Sequence, residues 1–412
     1  MLRRAFQLYR ESFGGLSKDI WLLAMVTFIN RSGTMVIPFM TVYLTGELGF
    51  SLSQTGWVMT CFGVGSVLGN LLGGKLTDKF GYYWVQFGSL VLSGVLFINL
   101  QFMHTLPEMC LSVFVLSIVA DAFRPANHAS IAVYSKPENR TRSYSLVRLA
   151  INLGFSIGPA IGGIIAGTLG FKWLFIVDGL TCISAGGLLW LFLQQKSEAP
   201  EASVPSDQPA PVLAASAYRD HTFLIFMALT TLGGVVFMQL FATIPVYCKQ
   251  HFLMSESQIG LLLAGNGLLI ALIEMPMVYT IESRNPNKLR LVSRGILLFA
   301  LSYLVLNVAN AWVGTVIIYA IVITFGEILM MPFSNVFAIE RSKPANRGQY
   351  MALYSSSWSV AHIIAPVVGM QIAEHWGWET LWYVLAGICV FAFAGYRLLE
   401  KRPVAMAVHP GA

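Results

Sequence analysis

Charged residues are scarce in this sequence. Asp, Glu, Lys and Arg together make up 11% of its 412 residues, whereas hydrophobic residues make up 56%, and the mean hydropathy is +0.67. A typical soluble domain is about 25% charged, so this composition excludes an ordinary water-soluble protein. Apolar runs of about 18 residues or more are typical of membrane-spanning helices, and the sequence is rich in them.

Several chemical motifs are also missing. The five cysteines lie in or at the ends of apolar runs without metal-ligand spacing, which indicates neither disulfides nor a zinc site. No glycine-rich loop carries the lysine and hydroxyl residue that cradle a nucleotide phosphate, and the loops are too short to assemble a nucleophile with its base. We therefore expect no enzyme activity, no metal and no cofactor.

The sequence contains twelve apolar runs. Backbone amides inside a bilayer must pair within their own segment, so each run is predicted to be a helix. The approximate spans are 21–44, 53–74, 83–104, 109–134, 145–168, 173–194, 221–247, 258–281, 291–310, 312–339, 350–373 and 379–399. The predicted fold class is therefore an all-α membrane protein with twelve transmembrane helices.

Basic residues predict the orientation of these helices, because Lys and Arg are enriched in cytoplasmic loops. With both termini placed in the cytoplasm, all but four of the 26 basic residues fall on that side. Lys172 and Lys249 face outward, and Arg31 and Arg124 remain within spans. Membrane topology thus explains the net charge of +6, and we expect no nucleic-acid partner.

A hydrophilic stretch divides the chain near its middle. Residues 194–217 contain EAPEASVPSDQPAPV, whose composition cannot bury enough apolar surface to become ordered. The predicted segments are a cytoplasmic N-terminal arm (1–20), a six-helix bundle (21–194), a cytoplasmic linker (195–219), a second six-helix bundle (220–399) and a cytoplasmic tail (400–412).

The two bundles repeat their helix-disturbing residues at one constant spacing. The pairs are Pro38 with Pro245, Pro125 with Pro332, Pro159 with Pro366 and Gly162 with Gly369. In addition, SLSQTG at 51–56 recurs as SESQIG at 255–260. Six helices per repeat preserve orientation, so we expect two pseudo-symmetric bundles related by an axis along the membrane normal.

A motif follows the second span. Gly65 is followed, after eight intervening residues, by GKLTDKFG at 74–81. This pattern resembles the signature of the major facilitator superfamily, and the resemblance extends over essentially the whole chain. It implies a transporter whose cytoplasmic side is latched in the outward-open state. The residues of the implied latch are Gly74, Asp78, Lys79 and Gly81.

The fifth span carries Gly154, Gly158, Pro159 and Gly162. Small residues at positions i, i+4 and i+8 let two helix backbones approach closely, and proline bends a helix. The pattern resembles the so-called antiporter motif of the same superfamily, which favours a proton-driven exporter. The alternative is a packing seam that has no bearing on the direction of transport.

Ionisable side chains lie near the midpoints of three spans, where a charge costs at least ~2.5 kcal/mol and by default marks a functional site. They are Arg31 in the first span, Asp121 and Arg124 in the fourth, and Glu327 in the tenth, while the seventh offers Gln239. The resemblance implies that these four helices line the substrate cavity.

The expected charge partners follow from spacing. Asp121 and Arg124 are three residues apart, close enough to form an ion pair on one helix, which leaves Arg31 to pair with Glu327. Glu327 is the preferred proton-coupling group, because an arginine that moves between conformations can switch the protonation of a desolvated carboxyl. Asp121 is the alternative carrier. Another possibility is that these ions only neutralise one another. Asp178 lies off-centre in the sixth span and is interpreted as a helix-contact or gating acid.

Three asparagines complete the predicted substrate cavity. They are Asn30, Asn127 and Asn335, and they join Arg31, Arg124 and Gln239. Each amide is suited either to a hydrogen bond with a solute or to an interhelical hydrogen bond, and the sequence leaves both open.

Two subfamilies share further features with the chain. NRSG at 30–33, followed by Pro38, resembles the first helix of drug:proton antiporter-like members. Gly326-Glu327 followed by Pro332 is similar to the tenth helix of the proton-coupled oligopeptide transporters.

These resemblances imply three functions. The first is a proton-driven exporter of small amphipathic organic molecules that works by alternating access. The alternatives are a proton-coupled importer of a polar solute such as a peptide or sugar, and a transporter of lipids or lysolipids. The implied setting is a monomer in the bacterial inner membrane, with a small-molecule substrate, protons and the lipid bilayer as its partners.

Overall fold

The structure, a computed structural model, describes residues 15–136, 139–196, 216–282, 284, 286–308, 314–342 and 346–401. Within these ranges the backbone is almost entirely helical and contains no β-strand. The helices are α1 (Lys18–Ser32), α2 (Val36–Gly46), α3 (Leu52–Phe80), α4 (Tyr82–Asn99), α5 (Leu106–Asp121), α6 (Phe123–Tyr134), α7 (Arg140–Thr168), α8 (Phe171–Phe192), α9 (His221–Ala242), α10 (Ile244–His251), α11 (Glu256–Glu282), α12 (Lys288–Val308), α13 (Gly314–Arg341) and α14 (Arg347–Lys401). Two 3-10 helices are also present, Leu100–Phe102 and Ala217–Arg219.

Eleven helical runs in the described part of the chain are long and apolar enough to cross a membrane. The last of them, Gln349–Lys401, has 53 residues, or about 80 Å of helix at 1.5 Å per residue, against a hydrocarbon core of about 30 Å. Gly377, with φ of 83°, interrupts its helical backbone. This run therefore supplies two spans, and the chain is an all-α membrane protein, as predicted.

Backbone conformation repeats between the halves of the chain. Gly170, at the turn between the fifth and sixth spans, has φ of 90°, and Gly377 has φ of 83° at the matching position of the second half. These two residues have the same spacing as the repeated prolines. Only glycine adopts this conformation at little cost, so the two turns have the same backbone requirement.

The helices form two compact units. One comprises Met1–Tyr43, Cys61–Val204 and Ser255–Gly267, and the other comprises Leu44–Thr60, Pro205–Met254 and Leu268–Ala412. Residues 44–60, which lie in the predicted first bundle, belong to the second unit, and 255–267, which lie in the predicted second bundle, belong to the first. The apolar core of the first unit lies between α1, α4, α6, α7 and α8. Most of the predicted arm, linker and tail falls outside the described residues.

The repeated SxSQxG motif starts the exchanged helices. The N–H of Ser51 donates to Gln54 Oε1 at 2.9 Å, and the N–H of Gln54 donates to Ser51 Oγ at 3.2 Å. Ser255 and Gln258 make the same pair of bonds, at 2.9 and 3.3 Å. Each motif is thus a capping box, which satisfies two free amides at a helix N-terminus.

The glycine of each motif then packs against a proline-containing helix. An added Cβ at Gly56 would lie 3.2 Å from the carbonyl oxygen of Pro366 in α14, and one at Gly260 would lie 2.3 Å from that of Pro159 in α7. The first turns of α3 and α11 therefore make equivalent close contacts, each inside its own unit. This packing is the physical reason for the exchange of 44–60 and 255–267 between the units.

Three spans are broken near a proline. The first breaks at 33–35, the fourth at Ala122 and the seventh at Thr243, and each break ends two or three residues before a proline. The prolines are Pro38, Pro125 and Pro245. A proline donates no hydrogen bond and clashes with the carbonyl four residues earlier, which favours a break at these positions. The tenth span, by contrast, continues as one helix through Pro332.

Candidate functional site

The break in the fourth span holds an ion pair. Asp121 is the last residue of α5, and Arg124 lies in the first turn of α6. The Nε atom of Arg124 is 2.7 Å from Asp121 Oδ1, and the side chain of Asp121 is 8% exposed whereas that of Arg124 is 49% exposed. A carboxylate buried to this extent needs a charged partner. The i,i+3 spacing provides Arg124, whose side chain is half-exposed at the protein surface.

Arg31 approaches this ion pair from α1. Its guanidinium carbon lies 5.5 Å from the centre of the Phe155 ring, within the range of a cation–π contact. The guanidinium interacts electrostatically with Asp121 and Arg124, and its Nε atom is buried without a hydrogen-bond partner. The Asp121 carboxylate thus interacts with two guanidinium groups, of which Arg124 is in direct contact. The expected pairing of Arg31 with Glu327 stays a prediction.

A buried amide network lies beside the ion pair. The Oδ1 atom of Asn127 accepts hydrogen bonds from Gln86 Nε2 at 3.1 Å and from Thr27 Oγ1 at 3.5 Å. Gln86 Nε2 also donates to Ser130 Oγ at 3.1 Å. Asn127 therefore takes part in interhelical hydrogen bonding. Sequence reasoning missed Gln86, because a single polar residue in an apolar run carries no signal of its partner.

The other polar candidates lie in different environments. Asn30 donates from Nδ2 to Cys182 Sγ at 3.6 Å. In the second unit, Gln239 is 0% exposed and donates from Nε2 to the carbonyl of Ala365 at 2.8 Å, so its amide contributes to packing between α9 and α14. Glu327 and Asn335 are half-buried on α13.

The motif after the second span is helical and not a loop. α3 continues to Phe80, so Gly74, Asp78 and Lys79 lie in its last turns. The predicted span ended at residue 74, but KLTDKF contains no helix breaker, so the helix ends only at Gly81, whose φ is 81°. Asp78 and Lys79 are exposed.

The glycines of the fifth span face the break in the first span. An added Cβ at Gly154 would lie 2.5 Å from Arg31 Cβ, and one at Gly162 would lie 2.9 Å from Met35 Cβ. At Gly158 the nearest atom would be the carbonyl oxygen of Ser32, at 3.1 Å. Contacts under 3.0 Å leave no room for a methyl group unless a backbone shifts. This row of glycines therefore lets α7 pack against residues 31–35.

A second buried acid contacts the same break from the opposite helix. Asp178 of α8 is 1% exposed, and its Oδ2 atom accepts hydrogen bonds from the amides of Met35 at 3.2 Å and Val36 at 2.9 Å. It thereby caps the N-terminus of α2. The sequence interpretation of Asp178 as a helix-contact acid agrees with this position, but the partner helix was not identifiable from spacing.

Potential metal ligands are not grouped in the part of the chain that the structure describes. No three side chains of His, Cys, Asp or Glu converge there. The two buried acids have different partners, since Asp121 faces arginines and Asp178 faces amides. The buried acids in the described part of the chain thus form ion pairs and hydrogen bonds.

Apolar helices broken near charged residues are typical of multi-pass membrane transport proteins. The family model of the Major Facilitator Superfamily matches residues 20–255 and 247–411. Together these matches cover nearly the whole chain, which therefore belongs to the major facilitator superfamily.

Individual relatives are consistent with this family. The chain is 26% identical to a "Na(+), Li(+), K(+)/H(+) antiporter" of Planococcus maritimus, over 92% of this chain and 95% of the relative. A bacterial homologue of the human lysosomal transporter Spinster, in an inward-facing and unoccupied conformation, matches with a TM-score of 0.84 at 12% identity, covering 96% of this chain and 100% of that chain. A POT family transporter in complex with 5-aminolevulinic acid matches with a TM-score of 0.79 at 15% identity, covering 94% and 96%. These two structures show the fold alone. The protein is a transporter and not an enzyme.

Proposed function

We propose that the chain is a proton-coupled antiporter that exports small amphipathic organic molecules by alternating access. Its proposed location is a bacterial inner membrane, with both termini in the cytoplasm. The observation that carries the proposal is the Asp121–Arg124 ion pair at the break of the fourth span, with Arg31 beside it.

The ion pair supports coupling for a physical reason. A buried carboxylate that interacts with two guanidinium groups is held by charge, and a proton on that carboxylate weakens the attraction to both. Arg124, which is half-exposed, is then free to meet a solute. Asp121 can therefore link proton binding to the position of the exposed Arg124 guanidinium. Glu327 is the proposed principal proton carrier, since it is half-buried on the tenth span.

The proposed substrate contacts differ in accessibility. Arg124 is the member of the set that is clearly open to a solute, whereas Asn127 and Gln239 already use their amides in interhelical hydrogen bonds. Asn30, Arg31 and Asn335 complete the proposed cavity. The interhelical bonds of Asn127 and Gln239 support a role for these two residues in shaping the cavity.

A second candidate cargo is a monovalent metal cation. It is favoured by the similarity to the Planococcus maritimus protein, whose name describes exchange of Na⁺, Li⁺ and K⁺ for H⁺. A carboxylate that alternately binds a proton and a cation is sufficient for such an exchange, and Asp121 and Glu327 are the acids proposed for it.

The test uses purified protein in liposomes with a pH-sensitive dye inside and an imposed pH gradient. Amphipathic cationic dyes, small peptides, sugars, lysolipids and the chlorides of Na⁺, Li⁺ and K⁺ are added one at a time. The proposal predicts that an amphipathic compound accelerates collapse of the gradient and accumulates against its own gradient. Liposomes with the Asp121→Asn, Glu327→Gln double variant should show neither effect.

The other outcomes identify the alternatives. Proton movement evoked only by alkali cations would replace the organic cargo with the second candidate. Proton movement in the same direction as a peptide or sugar would indicate an importer. Substrate flux without any proton movement, lysolipid flux included, would contradict proton coupling.

A further inference from the structure

Asp178 has an unusual environment for a carboxyl group. It is 1% exposed, and Oδ2 accepts the amides of Met35 and Val36 at 3.2 and 2.9 Å. Its other oxygen, Oδ1, is buried and has no hydrogen-bond partner. A buried acceptor without a partner costs free energy, so the structure leaves one carboxyl oxygen open to a small ligand.

The second half of the chain shows that the fold does not require this acid. The spacing that relates Gly170 to Gly377 places Leu385, which is 0% exposed, at the position of Asp178. The matching break in the seventh span is held without a carboxylate, since the amide of Thr243 donates to the carbonyl of Gln239 at 3.0 Å. A buried acid present in only one of two equivalent places indicates a role beyond folding.

Few charged groups face Asp178 in the described part of the chain. On its own helix, Cys182 interacts with it electrostatically, and Arg31 on α1 interacts with Cys182 in turn. α4 contributes Ser93, whose neutral hydroxyl forms a hydrogen bond with Cys182. The direct partners of the carboxylate are two amides at the positive end of the α2 dipole, which attracts its negative charge. Protonation weakens this attraction.

The space beside Oδ1 limits which ligand can bind. An added Cβ at Gly33 would lie 3.1 Å from Asp178 Oδ1 and only 1.9 Å from Thr181 Oγ1. On this side the surroundings have no room even for a methyl group. A metal cation with oxygen ligands needs several of them around it, whereas a proton needs no such volume.

We propose that Asp178 is a proton-binding site that controls the break in the first span. In the ionised form it holds the N-terminus of α2 against α8. In the protonated form it releases the amides of Met35 and Val36, and the break becomes mobile. Because Arg31 lies two residues before the break and packs on Gly154, this release also frees Arg31 to move. Only the use of this movement in transport rests on the proposed function.

The first experiment measures hydrogen exchange of the amides around the break in purified wild-type protein from about pH 8 to about pH 5, corrected for intrinsic exchange. We expect exchange at Met35 and Val36 to increase several-fold as the pH falls. The matched variant is Asp178→Asn, whose amide oxygen still accepts both N–H groups but does not titrate. Its exchange should be independent of pH. The break at Thr243 is the internal control and should not respond in either protein.

The second experiment detects the proton directly. A hydrophobic carbodiimide reacts with protonated carboxyl groups, and peptide mass spectrometry should find labelling at Asp178 that increases as the pH falls. This measurement needs only the wild-type chain, so it stands even where Asp178→Asn fails to fold. Both readouts should persist in the Asp121→Asn, Glu327→Gln double variant, which separates this proposal from the coupling proposed above.

Three results would overturn the proposal. The first is wild-type exchange at Met35 and Val36 that does not change with pH. The second is an Asp178 that stays unlabelled at every pH. The third is protection of the same amides by Na⁺ or Li⁺ at constant pH, which would make Asp178 a cation site.

Discussion

At the scale of single residues, Asp121 illustrates how local sequence arranges chemistry. Its partner is three residues away and meets it at 2.7 Å across the break of the fourth span, so a short stretch of chain supplies both charges. Arg31 comes from a distant position and adds a second cation. One carboxylate therefore balances only part of the positive charge of this cluster.

The proton carrier is testable by neutralising one acid at a time. We expect Glu327→Gln to abolish gradient-driven transport while leaving exchange of labelled for unlabelled substrate intact, because exchange needs no net proton movement. Both are measured as substrate flux in liposomes. Asp121→Asn is the comparison, and normal uphill transport by Glu327→Gln would assign the role to Asp121.

Asp220 is a different kind of residue, an acid just ahead of α9 that organises its own unit. Arg341 donates from Nε at 2.7 Å and Nη2 at 2.9 Å, and the Tyr350 hydroxyl donates at 2.8 Å. Its Oδ1 also accepts the amide of Phe223 at 3.1 Å. Burial raises the pKa of Asp220, but these hydrogen bonds outweigh burial and hold the pKa below its usual value.

We expect Asp220→Asn to destabilise the protein by about 1 to 3 kcal/mol, because hydrogen bonds to a charged group are lost and Arg341 is left without its partner. The measurement is the melting temperature in detergent, which should fall by several degrees. Glu340→Gln is the control, since Glu340 is 56% exposed and meets Lys288 only at 3.8 Å, and exposed pairs contribute little.

The contribution of Asp220 should also depend on pH. A lowered pKa in the folded state means that the stabilisation is present above the unfolded-state pKa of about 3.9. It is lost as the pH falls from there through the folded-state pKa. The difference in melting temperature between wild type and Asp220→Asn should therefore be constant near neutral pH and shrink below about pH 4. A difference that persists at lower pH would show that the carboxylate charge is not its source.

At the scale of elements, the break in the first span is held from two sides. The glycines of α7 press against residues 31–35 on one side, and Asp178 binds the first amides of α2 on the other. A proline a few residues downstream weakens a helix but does not determine where the freed amides find partners. Neighbouring helices provide those partners.

The close contacts of Gly154 predict that no larger side chain fits at this position. We expect Gly154→Ala to lower stability by about 1 to 3 kcal/mol, because the new methyl group would overlap Arg31 and force α1 and α7 apart. The matched control is Gly187→Ala in α8, where an added Cβ meets nothing within 4 Å and removal of a helical glycine is neutral to stabilising. Melting temperatures in detergent distinguish them. Equal effects of the two substitutions would contradict close packing at Gly154.

At the scale of the whole molecule, the repeat of spans, prolines and turn glycines produces two units of the same design that differ at particular buried positions. The second half keeps the glycine turn at Gly377 and the break at Thr243. It places Leu385 where the first half has Asp178. The charged cluster of Arg31, Asp121 and Arg124 also belongs to the first unit.

The proposed latch predicts a change in the transport cycle. If Asp78 helps to hold the outward-open state, Asp78→Asn should shift the population toward inward-open forms. The readout is the rate at which a thiol reagent added from the cytoplasm labels a cysteine introduced at His128, an exposed position of α6. Half-buried Cys61 and Cys110 are first replaced by serine. An unchanged labelling rate in Asp78→Asn would count against the latch.

Much of the fold was predictable because hydropathy is a local property. The length of each span can be read from its apolar run alone, and backbone hydrogen bonding in lipid requires each span to be a helix. Boundaries were less accurate, as α3 shows by continuing to Phe80. Within the candidate site, the Asp121–Arg124 pair was predictable because the two partners are only three residues apart in the chain. The contacts of Asn127 with Gln86 and Thr27 were not, because they join different spans.

The sequence by itself determined the class of the protein, its helical spans, its internal repeat and the positions of its buried charges. Tertiary structure alone decided which groups those charges meet. The amide of Met35 and the carboxylate of Asp178 are 143 residues apart in the chain, and no periodicity relates them. Their contact exists because proline frees amides in one helix, glycines let a second helix press on the break, and a third helix brings an acid to it.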